Sequence, residues 1–321
     1  MTKTISLALS LVLAAGFQVA SVAKEYKGKK ILFVDSYHEG YDWSDGVTRG
    51  IQEGLKGSGV ELKIIRLDTK RNKTEEFAQA AALKAKATIE EFKPDLVIAS
   101  DDAAAKYLIA PNYKDAALPF VFCGLNWDAS VYGFPCKNVT GMVEVCSVVE
   151  LVDFLKKFAK GAKVGFLGED TLTDRKEAGY YKKMLKTEVV DVYATTFADW
   201  KKSYIELQSK ADILINYNFA SIADWDSDQA AQFVLENTKI PSGAFQEAQM
   251  KHTFLGYLKV PEEQGLWSAR AALKIFDGAA PSAIPVVQNK EGRLVLNMKL
   301  AEKTGIQVPY EIVQSAQRVI Q

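Results

Sequence analysis

Ile31-Leu-Phe-Val-Asp-Ser-Tyr-His-Glu-Gly-Tyr-Asp-Trp43 is the stretch whose reading decides the fold. Four apolar residues, Ile31 to Val34, stand between a basic run and the polar cluster Asp35, Ser36, Tyr37 and His38. A short continuous apolar run bounded by turn residues is the pattern of a parallel strand buried on both faces. Beyond the loop, Trp43, Val47, Ile51 and Leu55 recur at every fourth position, which predicts a helix with one apolar stripe. In open α/β sheets, the loops at the carboxyl ends of the strands hold ligands. This loop carries a hydroxyl, an imidazole, carboxylates, phenols and an indole, so it is read as the first wall of a small-molecule site. The competing reading is a surface loop whose aromatic rings pack on the next helix.

The same alternation runs outward along the chain. Leu62–Leu67, Asp95–Ser100, Pro119–Gly124 and Val139–Glu144 read as further strands. Thr74, followed by Glu75 and Glu76, is expected to cap a helix that ends before Pro94. Ser147 and Glu150 form a predicted capping box. The series then restarts with strands at Lys163–Gly168, Val189–Ala194, Asp212–Tyr217 and Ile240–Phe245. Strands alternating with helices predict parallel sheets covered on both faces. The expected fold class is therefore α/β, with two doubly wound parallel-sheet lobes and a ligand cleft between them. The first lobe is read as residues 24–145 with part of the tail, about 258–290. The second is read as 146–257 with about 291–321. No low-complexity linker separates them, so a multi-stranded hinge is expected.

Residues 1–23 read as a secretory signal peptide. Lys3 gives a positive start, Ile5 to Ala15 an apolar core, and Ser21-Val22-Ala23 a small-residue cleavage site. The apolar core is too short for a membrane span, and no cysteine at Lys24 offers a lipid anchor. Lysine plus arginine and aspartate plus glutamate both number 40. That balance, with no basic run, argues against nucleic acid or an anionic membrane as a partner. Three cysteines, Cys123, Cys136 and Cys146, predict one disulfide in an oxidising compartment, joining Cys136 to Cys123 or to Cys146. Their spacing carries no zinc signature.

The candidate ligand-binding residues are those that follow predicted strands. In the first lobe they are Tyr37, His38, Trp43, Asp101, Asp102, Asn126 and Trp127; in the second, Glu169, Asn216 and Glu247. Aromatic rings mixed with amides and carboxylates suit an organic ligand held by stacking and directed hydrogen bonds. The carboxylates point to a ligand with an amino or other cationic group, or to one with many hydroxyls. Asp and Ser after strands are also ordinary helix caps, which is the competing structural reading at each position. There is no G-x-G-x-x-G after a strand, no Walker lysine and no G-x-S-x-G elbow, so no cofactor and no catalytic residue is expected. Adjacent Asp101 and Asp102 diverge by about 100° at a helix start and are poor partners for one proton transfer.

The chain resembles the ABC transporter substrate-binding proteins of type I periplasmic binding protein architecture. The resemblance is carried by Asp35–Asp45 with Gly50-Ile51, by Ser100-Asp-Asp-Ala103 and Phe120–Asn126, by Val139-Thr-Gly-Met142, and by Leu296–Ile306. It implies a monomeric periplasmic protein that closes its lobes on a small solute and delivers it to an ABC permease in the inner membrane. The Tyr37–Gly40 loop is similar to one in extracytoplasmic sensor modules. A partner that docks on a membrane sensor is therefore the alternative, and an exported α/β enzyme a more distant one.

Overall fold

A computed structural model describes residues 25–72, 74–222 and 224–321. The expected signal peptide lies outside the described residues. The first lobe begins with β1 (Lys30–Asp35), α1 (Asp42–Leu55), β2 (Glu61–Arg66), α2 (Glu75–Phe92) and β3 (Leu96–Ser100). A helical stretch follows in three parts: α3 (Asp101–Ala104), a π-helical turn (Ala105–Ile109) and α4 (Ala110–Asn112). Then come β4 (Phe120–Asn126) and β5 (Val139–Glu144). The second lobe continues with α5 (Val148–Lys156), β6 (Val164–Glu169), α6 (Leu172–Met184), β7 (Val189–Ala194), α7 (Phe197–Gln208) and β8 (Ile213–Asn216). After α8 (Ser227–Asn237), β9 (Ser242–Ala244) and a 3-10 turn (Glu247–His252) comes β10 (Leu255–Lys259). The tail is α9 (Pro261–Phe276), β11 (Val287–Gln288), β12 (Gly292–Asn297), α10 (Met298–Thr304), α11 (Tyr310–Ser315) and β13 (Arg318–Ile320).

These strands form two sheets, β11-β5-β4-β3-β1-β2 and β13-β12-β10-β9-β8-β6-β7. All pairings are parallel except β10 with β12. The two-lobed, doubly wound expectation is met. In β1, Phe33 sits in register with Ile64 on one side and Ile98 on the other, and Ile31 to Val34 are fully buried. An all-apolar run is what a strand covered by helices on both faces requires. Ser147, expected as a capping residue, makes no side-chain cap; its helix starts without one.

The tail is shared between the lobes. Helix α9 returns to the first lobe and lies against α1, whose Val47 and Ile51 join Ala269 and Ala272 in one core. Glycines on the facing surfaces let the two backbones touch. A Cβ on Gly50 would stand 2.2 Å from the Glu262 carbonyl oxygen, and one on Gly265 would stand 2.0 Å from that of Val47. The chain therefore passes between the sheets three times: after β5, after β10, and between β11 and β12.

No disulfide forms; all three cysteines are free, which corrects the expectation. Cys136 faces Val139 at the amino end of β5, whereas Cys146 follows its carboxyl end. A six-residue strand carries the chain about 20 Å, so closeness in sequence does not bring these sulfurs together. Cys146 lies 3.8 Å from the Tyr217 hydroxyl, and burial pushes its thiol up to about 12. Cys123 is buried in β4.

Two outcomes follow from this packing. Gly265→Ala should cost about 1–3 kcal/mol in urea unfolding, because neither backbone can retreat. Gly179→Ala in α6, where an added Cβ meets nothing within 4 Å, should be neutral or stabilise by up to about 1 kcal/mol. Separately, protein unfolded and alkylated without reductant should take up three labels per chain; a single label would restore the disulfide.

Candidate functional site

The carboxyl ends of β1, β3 and β4 build the first-lobe side of the cleft. Asp35 closes β1 and is fully buried, but it works inward. It accepts from Ser44 Oγ at 2.9 Å, Ser100 Oγ at 3.2 Å and the Tyr37 amide at 3.1 Å, and it pairs with Arg66. Ser36 Oγ donates to the Ser100 carbonyl at 2.5 Å and accepts from the Ala104 amide at 2.9 Å. These bonds fix the loop that presents Tyr37. Its ring meets Tyr41 edge-on at 5.4 Å, and the Lys70 ammonium lies 5.0 and 5.1 Å from the two ring centres. Burial first, then Asp101 and Glu144, hold the Tyr37 phenol well above its ordinary pKa. His38 Nδ1 is 3.6 Å from Asp68 Oδ1, beyond hydrogen-bond reach.

The two aspartates after β3 do different things. Asp101 has a left-handed backbone (φ +66°) and is 2% exposed. Its Oδ1 accepts from the Trp43 indole at 2.9 Å; its Oδ2 has no hydrogen-bond partner among the described residues. Burial, then the neighbouring Asp35 and Glu144, push its carboxyl well above the usual range. Asp102 accepts from Asn126 Nδ2 at 2.6 Å and from the Tyr132 hydroxyl at 2.8 Å. Tyr37 and Asp102 line a cavity of about 480 Å³ together with Thr69, Asn72 and Lys106 of the first lobe and Thr173 of the second.

The second-lobe residues are placed less uniformly. Glu169 accepts from the Ser221 amide and hydroxyl at 2.5 and 3.0 Å. Its neighbour Asp174 accepts from the Glu169 amide and Asn218 Nδ2, each at 2.9 Å, while burial pushes its carboxyl up to about 7. Asn216 is buried and reaches the His252 carbonyl at 3.5 Å. Glu247 is not among the residues of that cleft; it pairs with Arg318 on the wall of a separate second-lobe cavity of about 550 Å³. Trp127 joins the lobes. Its indole donates to Glu177 Oε1 at 2.6 Å and stacks on Tyr180 at 4.3 Å with 8° between the planes.

Sequence reasoning missed three ionisable groups here. Glu144 ends β5, Lys259 ends β10, and the two form a buried ion pair between sheets, their side chains 8% and 10% exposed. Burial opposes the charge on Lys259, but Glu144, Cys146 and Glu177 together outweigh it, so the ammonium is held above its ordinary pKa. Its Nζ also lies 5.4 Å from the Trp43 ring centre. Glu177, in α6, is the third. The available signal was position: Glu144 is the one charged residue of an otherwise uncharged strand, at its carboxyl end. Among the described residues no cluster of His, Cys, Asp or Glu could hold a metal ion, and no helix is long and apolar enough to cross a membrane.

Two parallel-sheet lobes, three adjacent crossings and a polar cleft at the strand ends define a two-lobed solute-binding protein of type I periplasmic architecture. The chain belongs to the family described as ABC transporter substrate binding protein, whose model matches residues 38–320. Its fold is similar to a ligand-free, open substrate binding protein with adhesive properties from Clostridium difficile, with a TM-score of 0.71 and 19% identity over 91% of this chain and 99% of that one. It is also similar to an ABC domain in complex with L-Trp from Streptococcus pneumoniae, with a TM-score of 0.61 and 19% identity over 91% and 99%. A periplasmic ribose ABC transporter protein from Conexibacter woesei matches with a TM-score of 0.58 and 12% identity over 90% and 98%. A comparison with curated proteins finds no match.

Lys259→Met should destabilise the protein by about 3–5 kcal/mol in denaturant unfolding, because it strands Glu144 as an uncompensated buried charge. Adding Glu144→Leu should recover most of that loss. Additive losses in the double variant would show that the two charges do not interact.

Proposed function

We propose that this chain is an exported, non-enzymatic binding protein that captures a small organic solute, an amino acid or a related amine, and delivers it to an ABC permease. The observation that carries this reading is the cavity of about 480 Å³ whose walls come from both lobes, with Tyr37 and Asp102 on one side and Thr173 on the other. A ligand there touches both lobes at once, so it stabilises the closed arrangement over the open one by its differential contacts.

The preference for an amine rests on what already surrounds the cleft. The Lys70 and Lys259 ammonium groups already lie over the Tyr37 and Trp43 ring faces, so the charge left to be matched is a carboxylate's. Asp101 keeps an unpaired, buried carboxylate oxygen beside them. A neutral polyol would leave that group without a counter-charge.

Protein taken from its own periplasm should carry one compound per chain in native mass spectrometry, and the released compound should raise Tm when added back. Tyr37→Ala should weaken its binding by about tenfold or more with little change in Tm of the empty protein. An empty protein that no amino acid, amine, nucleoside or sugar shifts would overturn the capture function.

A further inference from the structure

We propose that Trp127 is a clasp between the lobes, which holds the second-lobe helix α6 against the first lobe before any solute arrives. It is a positioning residue and not a solute contact, for it does not stand on the cavity wall. The inference concerns the empty protein and is independent of which solute is captured.

By its backbone Trp127 belongs to the first lobe. It follows Asn126, the last residue of β4, and its amide donates to the Glu144 carbonyl at 3.0 Å, where β5 ends and the first crossing begins. By its side chain it belongs equally to the second. The indole N–H is spent on Glu177, one ring face is spent on Tyr180, and the Tyr181 ring stands edge-on at 6.3 Å. The ring packs against the buried cores of both lobes. Trp127 also holds a left-handed backbone, φ +62°, which bulky residues rarely adopt. Such a conformation persists only where the surroundings over-determine it. Here the groups that fix the side chain lie in the other lobe.

The same helix carries the clasp and part of the cleft. Thr173, Glu177, Tyr180 and Tyr181 follow one another at spacings of three and four along α6, so they share one stripe. Thr173, at the start of that stripe, walls the cavity. A rotation of one lobe against the other tilts the two rings out of their 8° stack or slides them along it. It also draws the indole away from Glu177, a carboxylate only 2% exposed, and a buried acceptor deprived of its donor is costly. A contact made in one arrangement and lost in others shifts the population toward the first. The clasp therefore favours the arrangement in which Thr173 already faces the first-lobe wall.

The test is double electron–electron resonance on the full-length mature chain, unfolded and refolded to release any co-purified compound. Spin labels go on Leu83→Cys in α2 and Ile205→Cys in α7, exposed positions in different lobes, with the half-buried Cys136→Ser. The unsubstituted junction should give one narrow distance. Trp127→Ala should add a second, the rearranged population rising about tenfold or more. Tyr180→Ala should shift the distribution the same way, and the double variant no further than Trp127→Ala alone. Trp127→Phe keeps a ring on Tyr180 and should recover part of the original distribution. Unchanged distances in Trp127→Ala and Tyr180→Ala would overturn the clasp, and so would additive shifts in the double variant. If Trp127→Ala fails to fold, Tyr180→Ala decides the matter alone.

Discussion

Three passages of the chain between two sheets run side by side, and the polar groups buried there hold the molecule together as one object. Glu144 leaves the first sheet and Lys259 leaves the second, and their ion pair fastens the two passages. The third is tied in by Asn289. Its side chain accepts from the Val145 amide at 2.7 Å and donates to the Val145 carbonyl at 3.2 Å. Glu263 adds bonds to the amides of Lys290 and Glu291, both at 2.9 Å. The ion pair and the Asn289 bonds satisfy groups that would otherwise be buried alone, so the junction is specified by hydrogen-bond geometry as well as by apolar area. Segments fixed this way give two lobes one shared axis.

That junction also determines what lies at the bottom of the cleft. Helix α9 springs from the Lys259 crossing and packs into the first lobe through glycines, while Gln264 within it accepts from the Gly124 amide at 3.0 Å. Gly124 lies next to Asp101: a Cβ there would stand 2.9 Å from its Oδ1. A helix that belongs by sequence to the tail thus sets the space around a carboxylate that follows the third strand. Changes in α9 reach the site through this contact without touching a ligand.

Much of the fold was legible because the local signals agreed. The apolar run Ile31–Val34, the Trp43–Leu55 stripe and the Thr74 cap all appear where periodicity and capping chemistry put them. The tail was less so. β11 and β13 have two and three residues, too short to show an alternation, and only their neighbours make them strands. For the site, the rule that ligands meet strand ends found Tyr37 and Asp102 on the cavity wall. It named Asp101 as well, whose carboxylate accepts from the Trp43 indole and is not on that wall. It also missed Glu177, because a glutamate in the second turn of a helix looks solvated until another lobe covers it.

The same residues serve scaffold and site because both tasks fall on one set of backbone ends. A parallel strand stops where its last carbonyls and the first amides of the next helix need partners, and short polar side chains there supply them. Asp35, Ser36, Glu169 and Asp174 are consumed in that way by neighbours within their own lobes. What remains is a smaller group, Asp101 and Glu177, each with one oxygen committed to an indole and one left over. The indoles position these carboxylates without cancelling their charge. Each free oxygen is a buried acceptor that a hydrogen-bond donor or a positive charge would satisfy.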